Sequence, residues 1–402
     1  MDRRLLVLAL GMFALGTDSF VMAGVLPEIA RSFDVSIGAA GQMTTVYSVA
    51  YAILSPVLAT LAASVPRKRL LLIALTLFVI ANLGTAFAPS FGFALATRAL
   101  AGLGAAMFSP TAMGAAPMIV PPERRGIALA VVLTGLTVAT ATGAPIGTII
   151  GGLGNWHWTM IYVAALAAMS GLGVATLLSE IPKLPPISMA KRLAPLADAR
   201  VGLTLISTLL FFTGVFTVYT YFAVVFDRAI GGNPAILSAA LVAWGLSGVV
   251  SNIIVGRLID RVGTRRVLIA LLAIVFVDFL MVRWAGASPW TALPIIILWG
   301  GCGWAILVPQ QHRIIHIAPT VAPILLGLNN SATFLGATAA GVIGAAGIQL
   351  VGAHKLGYVG AIFVAAALVT SELAARKIAA VHRADTAAQR SIAAVATPSE
   401  PA

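Results

Sequence analysis

The sequence predicts an all-α integral membrane protein of 12 transmembrane helices, arranged as two pseudo-symmetric six-helix bundles. Three observations carry this. Sixty per cent of the 402 residues are hydrophobic and only 9% are charged, where a soluble domain carries about 25% charged residues. Twelve apolar stretches are each close to or above the roughly 20 residues that cross a hydrocarbon core as helix. A short basic loop occurs twice, its last arginine at Arg69 and again at Arg266, 197 positions later. An internal repeat of half the chain, set in a membrane sequence, is the pattern of a transporter with a solute path between its halves.

Taken in order, stretch 5–27 carries Asp18. It is too long, and too interrupted by polar residues, for a secretory leader, and no small-residue cleavage site closes it, so it is read as a retained span. Stretch 37–62 leads into the first basic loop, Leu61 to Arg69, and the chain returns as 70–89. Stretch 92–119 holds Arg98, and 126–153 is punctuated by Gly135, Gly143, Pro145, Gly147, Gly151 and Gly152. Stretch 158–179 opens on Asn155-Trp156-His157-Trp158. Segment 180–200 is the longest polar connection, with Pro182, Pro185, Pro186 and four basic residues, and links the halves. Stretch 201–226 clusters Phe211, Phe212, Phe216, Tyr219, Tyr221 and Phe222; 235–257 ends in the second basic loop, Leu258 to Arg266; 267–286 carries Asp278. Stretch 290–312 is followed by 323–350, with Asn329, Asn330, Ser331 and Thr333, and by 356–374. Pro56, Pro110, Pro145 and Pro294 lie inside spans, where neighbouring helices can satisfy the freed backbone groups. The expected division is 1–180 and 201–375 for the bundles, 181–200 for a cytoplasmic linker, and 376–402 for a cytoplasmic tail that is helical and frays after Pro398.

Charge sets the orientation. With the N-terminus inside, 20 of the 25 Lys and Arg fall on the cytoplasmic side. Four (Arg31, Arg228, Arg283, Lys355) fall outside, and Arg98 lies within a span. That bias in short loops puts both termini in the cytoplasm. The net charge of +12 is therefore topological, and no nucleic-acid partner is implied. Cys302 is the single cysteine, which excludes an intrachain disulfide and an all-cysteine metal site. No zinc spacing, paired catalytic carboxylates, nucleophile–base pair or P-loop is visible, so neither an enzyme, a cofactor nor ATP drive is expected.

These motifs resemble the major facilitator superfamily. Gly256-Arg257-Leu258-Ile259-Asp260-Arg261-Val262-Gly263-Thr264-Arg265-Arg266 is similar to that family's cytoplasmic G-x-x-x-D-R-x-G-x-R-R loop. Arg98 to Gly104 is similar to the R-x-x-x-G-x-G of its fourth helix. Gly143, Pro145, Gly147, Gly151 and Gly152 resemble the G-P-x-x-G-G of drug:proton antiporters, with Ala144 inserted before the proline. Asn155 to Trp158 resembles its W-R-W, with His157 in place of Arg. Two features resemble the arabinose-efflux, sugar-efflux and chloramphenicol-resistance branch: Gly16-Thr17-Asp18-Ser19-Phe20, where the branch usually has Glu for Asp18, and Leu26 to Ala30. The first loop departs from the motif, with Ala63 where the second has Asp260. The resemblance implies a monomeric bacterial inner-membrane exporter that exchanges drugs, sugars or metabolites for protons. Two alternatives stay open: a proton-coupled importer, and a transporter-like sensor without turnover.

Asp18 lies roughly 20 Å from the inner end of its span, since it follows about 13 residues of helix. A charge at that depth marks function by default, and a carboxyl group there is a candidate proton carrier. The competing reading is a permanent structural ion pair. Arg98 sits roughly 10 Å below the outer surface and Asp18 roughly 13 Å below it, so Arg98 is the natural partner, the fixed charge beside a titrating one. Arg98 could equally brace the bundle. Asp278 is the other deep acid; by resemblance its helix is a peripheral support, and it is a third proton-coupling candidate or else a hydrogen-bonded interior group.

Asp260 is expected at a helix end, where it can pair with Arg261, Arg265 or a neighbouring helix, while Gly263 allows a tight turn. Gly256, Asp260, Arg261, Gly263, Arg265 and Arg266 together form a candidate conformational latch; the alternative is that the basic residues only enforce orientation. The small residues of the fifth stretch are expected to seal the two halves against each other. Phe216, Tyr219, Asn329 and Asn330 are candidate walls of the solute cavity. His157 is read as an interfacial residue, and His312, Arg313 and His316 as no metal site.

Overall fold

The computed structural model describes residues 2–153, 155–181 and 188–396. Every regular element among them is helical. The long helices are α1 (Arg3–Ser32), α2 (Ile37–Leu61), α3 (Arg67–Ala86), α4 (Phe91–Ala115), α5 (Pro122–Gly152), α6 (His157–Leu177), α7 (Ala199–Tyr219), α8 (Pro234–Val262), α9 (Thr264–Ala285), α10 (Pro289–Ile317), α11 (Ala322–Val351) and α12 (Leu356–Ala396). Eleven helices are long and apolar enough to cross a membrane. The remaining expected stretch, 37–62, is also a continuous helix of 25 residues.

Helix starts are set by side chains that satisfy the orphan first-turn donors. Asp2, Ser36, Ser90, Asp198 and Asn233 each accept from a backbone N–H two or three residues on. At Asp2 and Asp198 the side chains of Arg4 and Arg200 also bond the cap, which holds both carboxyl groups below their ordinary range.

Four boundaries differ from expectation. The second basic loop is almost entirely helix: α8 runs to Val262 and α9 starts at Thr264, with Gly263 alone between them at φ 91°. Only glycine adopts that conformation without strain. In α5, residues Ala139–Gly143 form a π-helical turn, next to Pro145, which has no N–H for the helical ladder. The seventh span ends at Tyr219 and continues as two short turns, Phe222–Val225 and Asp227–Ile230. The last span and the tail are one 41-residue helix, so the tail is a direct extension of α12. Of the expected linker, Met189–Leu193 is a short helix; 182–187 and everything after 396, including Pro398, lie outside the described residues.

Within residues 3–177, α1 packs on α5 and α6, α3 lies between α4 and α6, and α2 packs on α4. From 199 on, α7 lies between α11 and α12, α8 packs on α10, and α9 lies between α10 and α12. The two sets meet along α2–α11 and α5–α8, and where α1 touches the Phe222–Val225 turn. Large apolar side chains such as Leu172, Ile253 and Ile362 are 59–68% exposed on the periphery, the surface a hydrocarbon solvent requires.

The small residues of α5 do not all face the seam, which corrects the expectation. A Cβ on Gly147 would sit 2.6 Å from Val21, and one on Gly151 2.8 Å from Val25, while Gly143 abuts Thr17 and Phe13. Three glycines spaced four apart thus seat α5 on α1. The seam itself uses Pro145, whose carbonyl accepts from Ser238 Oγ at 3.1 Å, and Gly152, which abuts Pro234.

Candidate functional site

Asp18 on α1 and Arg98 on α4 come together in the interior, both 0% exposed. Arg98 Nη1 donates to Asp18 Oδ1 at 2.7 Å. The depth match read from span counting therefore corresponds to a contact. Asn82 on α3 offers Oδ1 to the same nitrogen at 3.5 Å, and the guanidinium lies 4.8 Å from the centroid of the Tyr47 ring on α2. Tyr47 in turn bonds Ser19 of α1 at 3.1 Å. Four helices thus hold one charge pair.

The pair is incompletely satisfied. Asp18 Oδ2, Arg98 Nε and Arg98 Nη2 are buried and have no hydrogen-bond partner among the described residues. A guanidinium and a carboxylate can form a two-point fork; here a single bond joins them. A buried pair held by one bond is poorly compensated for lost hydration, and its partners have free bonding capacity for another arrangement.

Beside the pair lies an open-mouthed cavity. Arg98, Ser19 and Tyr47 form part of its wall. Phe216, Tyr219, Asn329 and Asn330 all line it, as expected; of the aromatic cluster on the seventh span, Phe211, Phe212, Tyr221 and Phe222 do not, and pack in the core. Phe20, Trp304, Gln311 and Phe334 also line it and were not singled out from sequence. Isolated aromatics in apolar spans carry no signal that separates a cavity wall from packing.

The cavity lies between the two sets of helices and is closed at one end. There Tyr219 Oη donates to the Phe20 carbonyl at 3.0 Å, Gln42 Nε2 donates to the Gly341 carbonyl at 3.3 Å, and Ser238 meets Pro145. These residues sit at the C-terminal parts of α1, α5, α7 and α11 and the N-terminal parts of α2 and α8, one end of the molecule. Towards the other end the wall continues through Leu307, Gln311 and Leu326. One thinner contact crosses there: Tyr51 stacks on Phe334 at 3.8 Å and accepts from Asn330 Nδ2 at 3.2 Å.

Asp278 stands apart. It is 2% exposed on α9, lines no part of the cavity, and neither carboxyl oxygen has a hydrogen-bond partner among the described residues. The interior hydrogen bond considered for it is absent. The proton-coupling candidates therefore separate into a joined pair and a solitary acid.

The latch residues lie together at the α8–α9 corner, but with a different acid. Arg265 is bonded to Glu372 on α12 at 2.5 Å, and Arg376 joins the same carboxylate at 3.1 Å. Asp260 makes no ion pair among the described residues, contrary to the expected bond to Arg261 or Arg265. Gly256 has open space around it, and no ion pair is formed by Arg261 or Arg266 among the described residues. Buried Arg313 donates to Ser371 Oγ at 3.1 Å. At the first loop, Lys68 Nζ donates to the Ala175 carbonyl at 2.9 Å and Arg67 Nη1 to that of Thr111 at 3.4 Å, both near helix C-termini, where a cation complements the dipole. His157 bonds Asn155, and Trp156 beside it is buried against Phe33.

The family model of the Major Facilitator Superfamily matches residues 8–341. The inner membrane transport protein YdhP of Escherichia coli (strain K12) is 30% identical over 383 residues, 93% of this chain and 96% of that protein. A chloramphenicol resistance protein of Streptomyces lividans is 30% identical over 368 residues, 88% of this chain and 89% of its own. A probable sugar efflux transporter of Mannheimia succiniciproducens is 27% identical over 370 residues, 91% of this chain and 92% of that protein.

Proposed function

The chain belongs to the major facilitator superfamily and is thus a multi-pass membrane transporter and not an enzyme; from that premise we propose that it exports a small organic solute in exchange for protons. Two six-helix bundles, residues 1–180 and 201–375, rock about the central cavity and open it alternately to each side. The observation that carries the reading is the buried Asp18–Arg98 pair in contact with the cavity wall. Efflux-type relatives support the direction.

In this scheme the closed end faces outward and the cavity faces the cytoplasm, ready to load solute. Protonation of Asp18 cancels its charge and frees Arg98, whose idle Nε and Nη2 donors can turn to other acceptors. Arg98 keeps its own proton. Solute entry and proton binding then favour different packings of the bundles, which is what an exchanger needs. A proteoliposome screen under an imposed pH gradient tests this. The right solute is expected to drive protons in the opposite direction; solute binding with no flux of solute or protons would instead identify a sensor.

The chain sits in the bacterial inner membrane with both termini cytoplasmic in this reading. With Cys302 replaced, single cysteines at positions 67 and 265 are expected to react with an impermeant reagent only from the cytoplasmic side. Reaction of either from outside inverts the topology.

The corner at Asp260 acts as the latch of the cycle. Asp260 makes no ion pair among the described residues in this packing and takes a partner in the other one, while Glu372 holds Arg265 here. Asp260→Asn is expected to lower turnover several-fold while solute affinity stays within a few-fold. Wild-type turnover at wild-type membrane levels would remove Asp260 from the latch.

A further inference from the structure

We propose that the cavity selects an uncharged aromatic solute bearing hydroxyl or amide groups, and rejects both the cation and the anion of the same skeleton. The inference rests on the export reading for its site and goes beyond it in naming the solute's chemistry. No carboxylate lines the cavity. Among the described residues its only ionised wall group is Arg98, whose charge is matched by Asp18 at 2.7 Å. An entering cation therefore meets no counter-charge, and an entering anion meets an arginine whose charge Asp18 already balances.

The rest of the wall fits a neutral amphiphile. Phe20, Trp304, Phe216 and Tyr219 form a connected ring cluster, with Phe20 5.4 Å from Trp304, 5.7 Å from Tyr219 and 6.4 Å from Phe216. Such edges and faces pack against an aromatic solute. Asn330 and Gln311 add amide donors and acceptors to the wall. Aromatic faces also attract cations, but that attraction is smaller than the hydration a cation gives up on burial, and the nearest fixed charge here is positive. Exchanging a neutral solute for a proton also moves net charge in each cycle, so export is driven by membrane potential as well as by the pH gradient.

A matched trio tests the selection: tyrosol (neutral), tyramine (cation) and 4-hydroxyphenylacetate (anion), radiolabelled, in equilibrium dialysis against the full chain in lipid nanodiscs at pH 7. Tyrosol is expected to bind at least tenfold more tightly than either ion, and Trp304→Ala to weaken it at least fivefold. Asp18→Asn leaves Arg98 unmatched and is expected to raise 4-hydroxyphenylacetate binding at least tenfold, without raising that of tyramine. Equal binding of the three, tighter binding of an ion by the wild type, or no gain of the anion by folded Asp18→Asn protein overturns the inference. Each of those results leaves proton exchange standing. Selective tyrosol binding without solute-linked proton flux would instead leave the selection intact and remove the exchange reading.

Discussion

Arg98→Ala is expected to leave little folded protein in the membrane. Both partners of the pair are 0% exposed, and truncating one leaves the other as a lone charge in a low-dielectric interior. Breaking a buried pair in this way typically costs about 3–5 kcal/mol, a large share of the stability of a typical domain. Removing both charges is far milder, because a buried pair contributes little over neutral groups of similar size. The double variant Asp18→Asn with Arg98→Gln is therefore expected to recover most of the folded, monodisperse fraction in mild detergent and most of the melting temperature. Wild-type stability for Arg98→Ala, or no recovery in the double variant, would show that the two residues are not coupled.

Asp18→Asn acts differently. The amide oxygen can still accept from Arg98 Nη1, which now lies 2.7 Å from Oδ1, so the position keeps its size and its one existing bond. It cannot carry a proton. The variant is expected to fold at reduced but workable yield and to lose the link between proton movement and solute movement. Asp278 supplies the internal comparison. It is equally deep but lines no cavity and contacts no fixed charge, so Asp278→Asn is expected to change uphill transport by less than twofold.

Much of this was legible in the sequence because hydrocarbon imposes a strong constraint. Every expected apolar stretch became a long helix, since an unpaired backbone in lipid is too costly. The Asp18–Arg98 contact was legible for the same reason: helices of fixed rise run in opposite directions, so counting residues from each surface gives depth, and two charges at one depth seek each other. Four of the cavity residues were found through polarity or aromatic clustering inside a span.

What stayed hidden depends on rotation about helix axes and on contacts between distant segments. The sequence suggests that Gly143, Gly147 and Gly151 form a seam between halves, but their spacing of four places them on one stripe, and nothing in the chain says that α1 covers it. Only Gly152, one position on, turns to Pro234. Glu372 is 107 residues from Arg265 and sits in a stretch of no recognised motif, so it could not be preferred over the nearby Asp260. Tyr47, Trp304 and Phe334 carry no local mark that distinguishes a cavity wall from a core.

In the proposed cycle Asp18 moves the proton that drives export. The most direct measurement compares wild type and well-folded Asp18→Asn protein in proteoliposomes, for solute counterflow at equal pH and for uphill transport under an imposed pH gradient. Both activities are expected in the wild type. In the variant, counterflow is expected to stay within a few-fold and uphill transport to fall at least tenfold. Full uphill transport by the variant contradicts the account, and a parallel loss of both activities shows Asp18 to be a structural partner of Arg98 and nothing more.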